Sequence, residues 1–309
     1  MGRFAEKFQG KGLSTALGYV AGVVTGVTYG LNPLFAKPLL QMGVSVDTML
    51  TIRYLLAVAI LGLWLVVRRE PFRVNKAQAL RLCILGILFG FSSLLLFLSY
   101  NYIPAGLATT IVFLYPVLVA IIMVFLKVYP TWQVWLSIVL TFAGVVILSR
   151  PSGGISFNLS GLLLAGGSAL AYAMYLVIVN RSRRLRTVSN NILTFYALLV
   201  GSLLFVFRGL ASGEGFMEGL TGWYCWVNLT GLAVFPTLVS LLTLAVSTRL
   251  IGATRTSVLG VFEPVTAIAV GSVFFGESLT LNVIVGICIT LFAVTFMVLT
   301  DRNRSAGKS

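Results

Sequence analysis

Apolar runs of about 20 residues follow one another along this chain with little sequence between them, and no other feature narrows its possible folds so far. Ten are readable, at 15–36, 48–67, 79–100, 104–127, 132–150, 158–180, 191–208, 224–248, 252–275 and 280–300. At a rise of 1.5 Å per residue, a helix of about 20 residues crosses a hydrocarbon core roughly 30 Å thick. Composition agrees: 58% of the residues are apolar and 10% charged, whereas a soluble domain carries about 25% charged residues. The expected fold is an all-α integral membrane protein of ten transmembrane helices, with little chain left for a soluble domain.

The first half recurs, degraded, in the second. Gly18, Gly22, Gly26 and Gly30 form one face of the first apolar run. A shift of 143 residues takes them to Gly161, Ala165, Ala169 and Ala173, again all small. The same shift relates Asp47 to Asn190, Thr51 to Thr194 and Arg53 to Tyr196. Further on the register becomes 148, relating Ile103, Ala105, Pro116 and Val117 to Ile251, Ala253, Pro264 and Val265. The polar stretch from Arg208 to Gly222 absorbs the difference. A unit this long suits a duplicated membrane bundle rather than a solenoid. Five spans per unit is an odd number, so the two units enter the membrane with opposite orientation, as two inverted five-helix repeats around a central cavity. The boundaries read as an N-terminal segment 1–14, a first repeat 15–150, a linker 151–157, a second repeat 158–300 and a tail 301–309.

A net charge of +14 would suggest nucleic acid in a soluble protein, but the placement of the charges points elsewhere. Alternating the ten spans puts every Lys and Arg except Lys37, Arg53, Arg150 and Arg208 on the side of the two termini. Such an excess marks the cytoplasmic face, where anionic lipid attracts it. Both termini are therefore expected in the cytoplasm, the linker outside, and nucleic acid is excluded as a partner. The first run is too long for a cleavable signal peptide and has a counterpart in the second repeat. Cys83, Cys225 and Cys288 are scattered and read as small packing residues.

Within the spans, polar residues carry the information. Gly18, Gly22, Gly26 and Gly30 offer either pure close packing or a smooth surface on which one bundle rocks against another; Gly86 and Gly90 are a shorter version. Arg53 and Glu263 are the two deep charges. Each costs a few kcal/mol (~2.5 or more) at the bilayer centre unless it meets a partner or water. Arg53 is near enough to its span end to snorkel. Glu263 is mid-span and must be paired, protonated or open to an aqueous path; whether the two pair with each other is left open. Glu277 sits at a span end as an interfacial anchor or cap. Pro116 and Pro264 occupy matching positions, each freeing a carbonyl, and paired interruptions point either to a central site or to ordinary kinks. Asn32, before Pro33, bonds a neighbouring helix or lines a cavity. Tyr115, Tyr172 and Tyr175 are candidates for a cavity wall, while Tyr100 and Tyr102 read as an interfacial belt. Tyrosines, an Asn and two charges suit small zwitterions or amphipathic metabolites.

The chain has no His, hence no His-based proton relay, nucleophilic triad or zinc site. It has no P-loop, and its carboxylates are too few for a metal site. No cofactor or metal is expected, and no enzyme activity. A membrane enzyme would need a cluster of catalytic polar groups, and the 209–222 loop offers Glu214 and Glu218.

Residues 261–299 (VFEPVTAIAVGSVFFGESLTLNVIVGICITLFAVTFMVL) resemble the C-terminal EamA repeat of the drug/metabolite transporter superfamily. An E-P lies in the ninth span and a G-E precedes the tenth. Residues 112–149 match in the first half, and YGLNPLFAKPLL (29–40) and TIRYLLA (51–57) resemble the first two spans. One departure is Val128-Tyr129, where the family usually has a G-E like Gly276-Glu277. The resemblance implies a ten-helix bundle in a bacterial inner membrane that moves small metabolites, amino acids among them, by alternating access and often outward. Spans one, three, four, six, eight and nine would line the cavity. Glu263 would interact with substrate or protons, with Arg53, Asn32, Tyr115, Tyr172 and Tyr175 as further contacts. The alternatives are an uncoupled facilitator or exchanger, and multidrug efflux.

Overall fold

The computed structural model of the chain describes residues 2–127, 132–148, 158–182, 184–185, 187–212, 216–251, 256 and 259–306. Among these every regular element is helical. The first repeat region contributes α1 (Gly2–Gly30), α2 (Asn32–Gln41), α3 (Val46–Val67), α4 (Lys76–Ser99), α5 (Ala105–Val112), α6 (Tyr115–Phe125) and α7 (Trp132–Leu148). The second contributes α8 (Leu159–Arg181), α9 (Asn190–Ser212), α10 (Gly222–Ala233), a π-helical turn Val234–Val239, α11 (Ser240–Ile251), α12 (Phe262–Phe275) and α13 (Leu281–Ala306). Among the described residues six segments are long and apolar enough to cross a membrane: Val46–Val67, Lys76–Ser99, Ala105–Phe125, Leu159–Val179, Asn190–Ala211 and Gly222–Ser247. Phe262–Phe275 and Leu281–Ala293 are shorter apolar helices.

Helix starts follow local chemistry. The Ser45 hydroxyl accepts the Thr48 N–H to open α3, and Asn75 with Gln78 forms a reciprocal capping box on α4. Asn158 caps α8 through the Gly161 N–H at 3.1 Å. At the far end of α12, Gly276 takes the left-handed conformation (φ 62°) that terminates helices at little steric cost.

Packing between the two halves is itself two-fold. α1 lies on α11 as α8 lies on α4, and α1 meets α12 as α8 meets α5 and α6. The helices α3 and α9, and α7 and α13, each pack against their own repeat counterpart, and α5 packs against α12, the counterpart of its neighbour α6. The α3–α9 pair runs antiparallel. Arg208 at the end of α9 donates to Asp47 at the start of α3 (2.8 Å), while Glu70 beyond α3 accepts from Ser189 and Asn191 at the start of α9 (3.1 Å each). We refer to the Asp47 end and the Glu70 end of the bundle.

In lipid no hydrophobic force drives helix against helix, so close approach must supply the contact energy. Accordingly α1 lays Gly18 on Leu250 and Ile251, Gly22 on Ser247 and Leu259, Gly26 on Phe262, and Gly30 on the backbone of Glu263 and on Thr266. The counterpart positions of α8, Ala165, Ala169 and Ala173, are all buried. Gly86 and Gly90 of α4 meet Val200 and Leu204 of α9 in the same manner. Of the cysteines only Cys225 is buried; Cys83 and Cys288 are exposed on the helix surface and pack nothing, which corrects the uniform packing reading.

Candidate functional site: two buried charges among broken helices

Among the described residues three of the apolar runs are interrupted, each just before a proline. The first stops at Leu31, ahead of Asn32-Pro33. The fourth stops at Phe113-Leu114, ahead of Tyr115-Pro116. In the ninth, a turn at Gly260-Val261 precedes Phe262-Glu263-Pro264. Proline has no N–H to continue the ladder, and its fixed φ suits the first turn of a new helix. Tight turns bridge the gaps: Leu31 N–H to Thr28 (3.3 Å), Leu114 N–H to Ile111 (3.0 Å) and Glu263 N–H to Gly260 (3.0 Å). A fourth irregularity is the π turn around Pro236, where the Thr237 hydroxyl donates to Leu232 O at 2.9 Å.

Arg53 does not snorkel; it is 3% exposed and points inward. Its Nε donates to Thr237 Oγ1 at 2.7 Å. The guanidinium lies 5.2 Å from the Phe97 ring centroid and 5.9 Å from that of Tyr54. No carboxylate lies within 4.0 Å of it among the described residues. Thr237 is thus a single neutral anchor for a buried cation whose terminal nitrogens remain available to a ligand. Burial of an uncompensated charge is costly, and an anionic ligand group would lift that cost.

Glu263 sits in the first turn of α12, half-buried, and among the described residues it has no ion-pair partner. Arg53 and Glu263 therefore do not pair. Both charges act on the same two phenols, Tyr29 and Tyr100, and Glu263 also acts on Tyr115 and Tyr172. These tyrosines belong to a continuous aromatic wall. Phe113 meets Tyr115 edge-on at 5.9 Å, Tyr115 meets Tyr172 edge-on at 4.9 Å, and Tyr172 stacks on Tyr175 at 6.0 Å. Tyr175 continues to Phe89 (5.5 Å) and Phe89 to Tyr54 (6.1 Å). Tyr29, Tyr115, Tyr172 and Tyr175 each keep part of their surface open although they lie deep in the bundle.

Some sequence expectations change. Asn32 is 2% exposed and bonds its own chain, donating to Tyr29 O across the break at 2.8 Å, with its Oδ1 buried and unpartnered among the described residues. Tyr100 is no belt residue: it is 6% exposed and faces the centre, whereas Tyr102 is 49% exposed. Glu277 is more than a cap, being ion-paired with Lys37. Four contributors were missed: Thr237, Tyr54, Phe89 and Phe97. Pro236 in the middle of an apolar run was the one available signal for Thr237. Tyr54, Phe89 and Phe97 carried none, because buried aromatics in an apolar helix look alike from sequence. A separate small crevice lined by Leu61, Asn190, Asn191, Thr194, Leu238, Leu241, Leu242 and Ala245 lies nearer the Glu70 end and holds no charged group.

Comparison with known proteins places this geometry. The model of the EamA-like transporter family matches residues 16–150 and again 159–299. An uncharacterised transporter of Synechocystis sp. is 28% identical over 229 residues, covering 72% of this chain and 68% of its own. The threonine/homoserine exporter RhtA of Escherichia coli is 31% identical over 219 residues, covering 68% of this chain and 69% of its own. An uncharacterised transporter of Bacillus subtilis aligns over 94% of this chain and 95% of its own at 23% identity. A crystal structure of another protein superposes with a TM-score of 0.64 over 93% of this chain and 98% of its own, at 18% identity; it supports the fold alone. With two family matches that together span most of its length, the chain is a multi-pass membrane protein of the EamA-like transporter family, in the drug/metabolite transporter superfamily.

Proposed function

We propose that the protein is a secondary transporter that exports small metabolites, amino acids among them, by alternating access. In this reading ten helices form two inverted five-helix repeats, 15–150 and 158–300, in the inner membrane, with both termini cytoplasmic. The two-fold packing and the antiparallel α3–α9 pair support the inversion, and the lopsided basic residues support the orientation. The observation that carries the substrate reading is the pair of separated, uncompensated charges, Arg53 and Glu263, acting on the same two tyrosines. A zwitterion fits such a site: its carboxylate takes the free face of the guanidinium, and its ammonium takes Glu263 with the tyrosine wall around it. The exporter among the relatives is consistent with that class. When no substrate is bound, a proton on Glu263 would remove the cost of its charge, and this is how coupling to a pH gradient would arise. Asn32, Tyr115, Tyr172 and Tyr175 shape the site, and the breaks at Pro116 and Pro264 let the lining helices bend.

The test uses purified protein in liposomes preloaded with a mixed amino-acid and metabolite pool, with and without a pH gradient, and mass spectrometry of what leaves. Selective loss of amino acids that quickens with the gradient is the expected result. Loss that ignores the gradient would make the protein a facilitator or exchanger. Retention of amino acids with loss of lipophilic cations would make it a multidrug exporter.

A further inference from the structure

We infer that Glu277 and Lys37 form the gate latch at the Asp47 end, because one carboxylate there ties together the three half-helices that the proline breaks set free. Lys37 of α2 donates to Glu277 Oε1. The Ala105 N–H, first in α5, donates to the same oxygen at 3.0 Å. Glu277 itself follows the Gly276 terminus of α12 and folds back over Gly271. Each of these helices is the Asp47-end half of an interrupted run: α2 beyond Leu31, α5 before Phe113-Leu114, and α12 beyond Gly260-Val261. An ordinary anchor would face headgroups and touch one helix. This carboxylate is 13% exposed and its lysine 18%, so the bonds are made largely out of water, where charge-assisted contacts are strong. Lys37 also lies 4.8 Å above the Phe275 ring, and the carboxylate meets the positive end of α5.

The breaks supply hinges and the latch supplies cohesion, so α2, α5 and α12 move as one lid over the central site. Tyr100, buried at the end of α4 beside Thr109 of α5, lies within electrostatic reach of Glu277, Glu263 and Arg53. At the matching position of the first repeat the sequence has Tyr129 in place of a carboxylate, outside the described residues. The latch therefore makes the two ends energetically unequal. On the orientation proposed above it holds the extracytoplasmic side closed, and the rest of the inference does not depend on that orientation.

The test reads accessibility, which needs no substrate and so fails or succeeds independently of the transport reading. Thr109 of α5 is 3% exposed and lies beside Tyr100, beneath the latch. A Thr109→Cys reporter is placed in a background where Cys83, Cys225 and Cys288 are replaced by Ala, in sealed proteoliposomes of known orientation. Labelling by a membrane-impermeant maleimide from the Asp47 end is expected to be slow, and Glu277→Gln to speed it roughly tenfold or more. Lys37→Met, which leaves the Ala105 bond in place, should speed it less. Unchanged labelling in both variants at unchanged melting temperature overturns the latch. Should Glu277→Gln fail to fold, Lys37→Met is read alone, and labelling equal to that of the reporter parent overturns it.

Discussion

The two repeats share a packing scheme and differ in the polar residues at matching positions. Where the first repeat has Arg53 and Asn32, the second has Tyr196 and Tyr175; where the second has Glu263, the first has Tyr115. Backbone irregularity is unequal too. α1 breaks at Leu31 while its counterpart α8 is continuous, and α4 is continuous while its counterpart carries the π turn at Val234–Val239. The difference teaches how a symmetric bundle builds a polar site. A duplicated frame gives matched helix faces, and on the reading proposed above one ionisable group per half, each with a tyrosine at the matching position of the other repeat, sets a positive and a negative pole apart.

The largest expected contrast is between Glu263 and its counterpart. Glu263→Gln should cut gradient-driven flux at least roughly tenfold, while Tyr115→Phe, which keeps the ring against Tyr172, should stay within about twofold. Initial rates in proteoliposomes compare them, and equal losses would mean that charge at this position is irrelevant. Next come the helix faces. Gly30→Ala drives a methyl into Glu263 O and Thr266 and should cost about 1–3 kcal/mol by overpacking, whereas Ala173→Gly should cost about 0.5–1 kcal/mol. Thermal unfolding in detergent ranks them, and the reverse order would break the comparison.

The arginine and tyrosine counterparts give a smaller contrast. Thr237→Val leaves the buried Arg53 Nε without its acceptor and should cost about 1–3 kcal/mol. Tyr196→Phe loses only its bond to Phe72 O, worth about 0.5–1.5 kcal/mol. The same melts decide, and a Thr237→Val protein as stable as the parent would show that the π turn does not hold the guanidinium. Smallest is Asp47→Asn, which breaks the α3–α9 contact with Arg208. Arg208 is 46% exposed, so the loss should stay near 0.2–1 kcal/mol (about the surface value) and shrink with salt.

Much of this was legible in the chain. The apolar runs read as membrane helices because lipid forces every backbone group to bond within its own segment. The breaks at Pro116 and Pro264 were legible because proline acts locally, on the turn it occupies; the one ahead of Pro33 was not read from the chain, where Asn32 drew the attention. Arg53 and Glu263 stood out because charge is rare and costly in a span. The π turn was not legible, since Pro236 more often marks a kink than a bulge.

What the sequence determined by itself is the class of molecule: a duplicated, all-helical membrane transporter with two deep charges and proline-interrupted helices. Only the tertiary structure decided what those groups face. Arg53 finds Thr237, 184 positions away, and Lys37 finds Glu277, 240 positions away. Tyr100 turns inward to feel three charges at once. Such partners depend on how each helix is rotated about its axis. In a soluble protein an apolar stripe would encode that rotation; here nearly every face is apolar, and the rotation follows from where small residues let several helices close together.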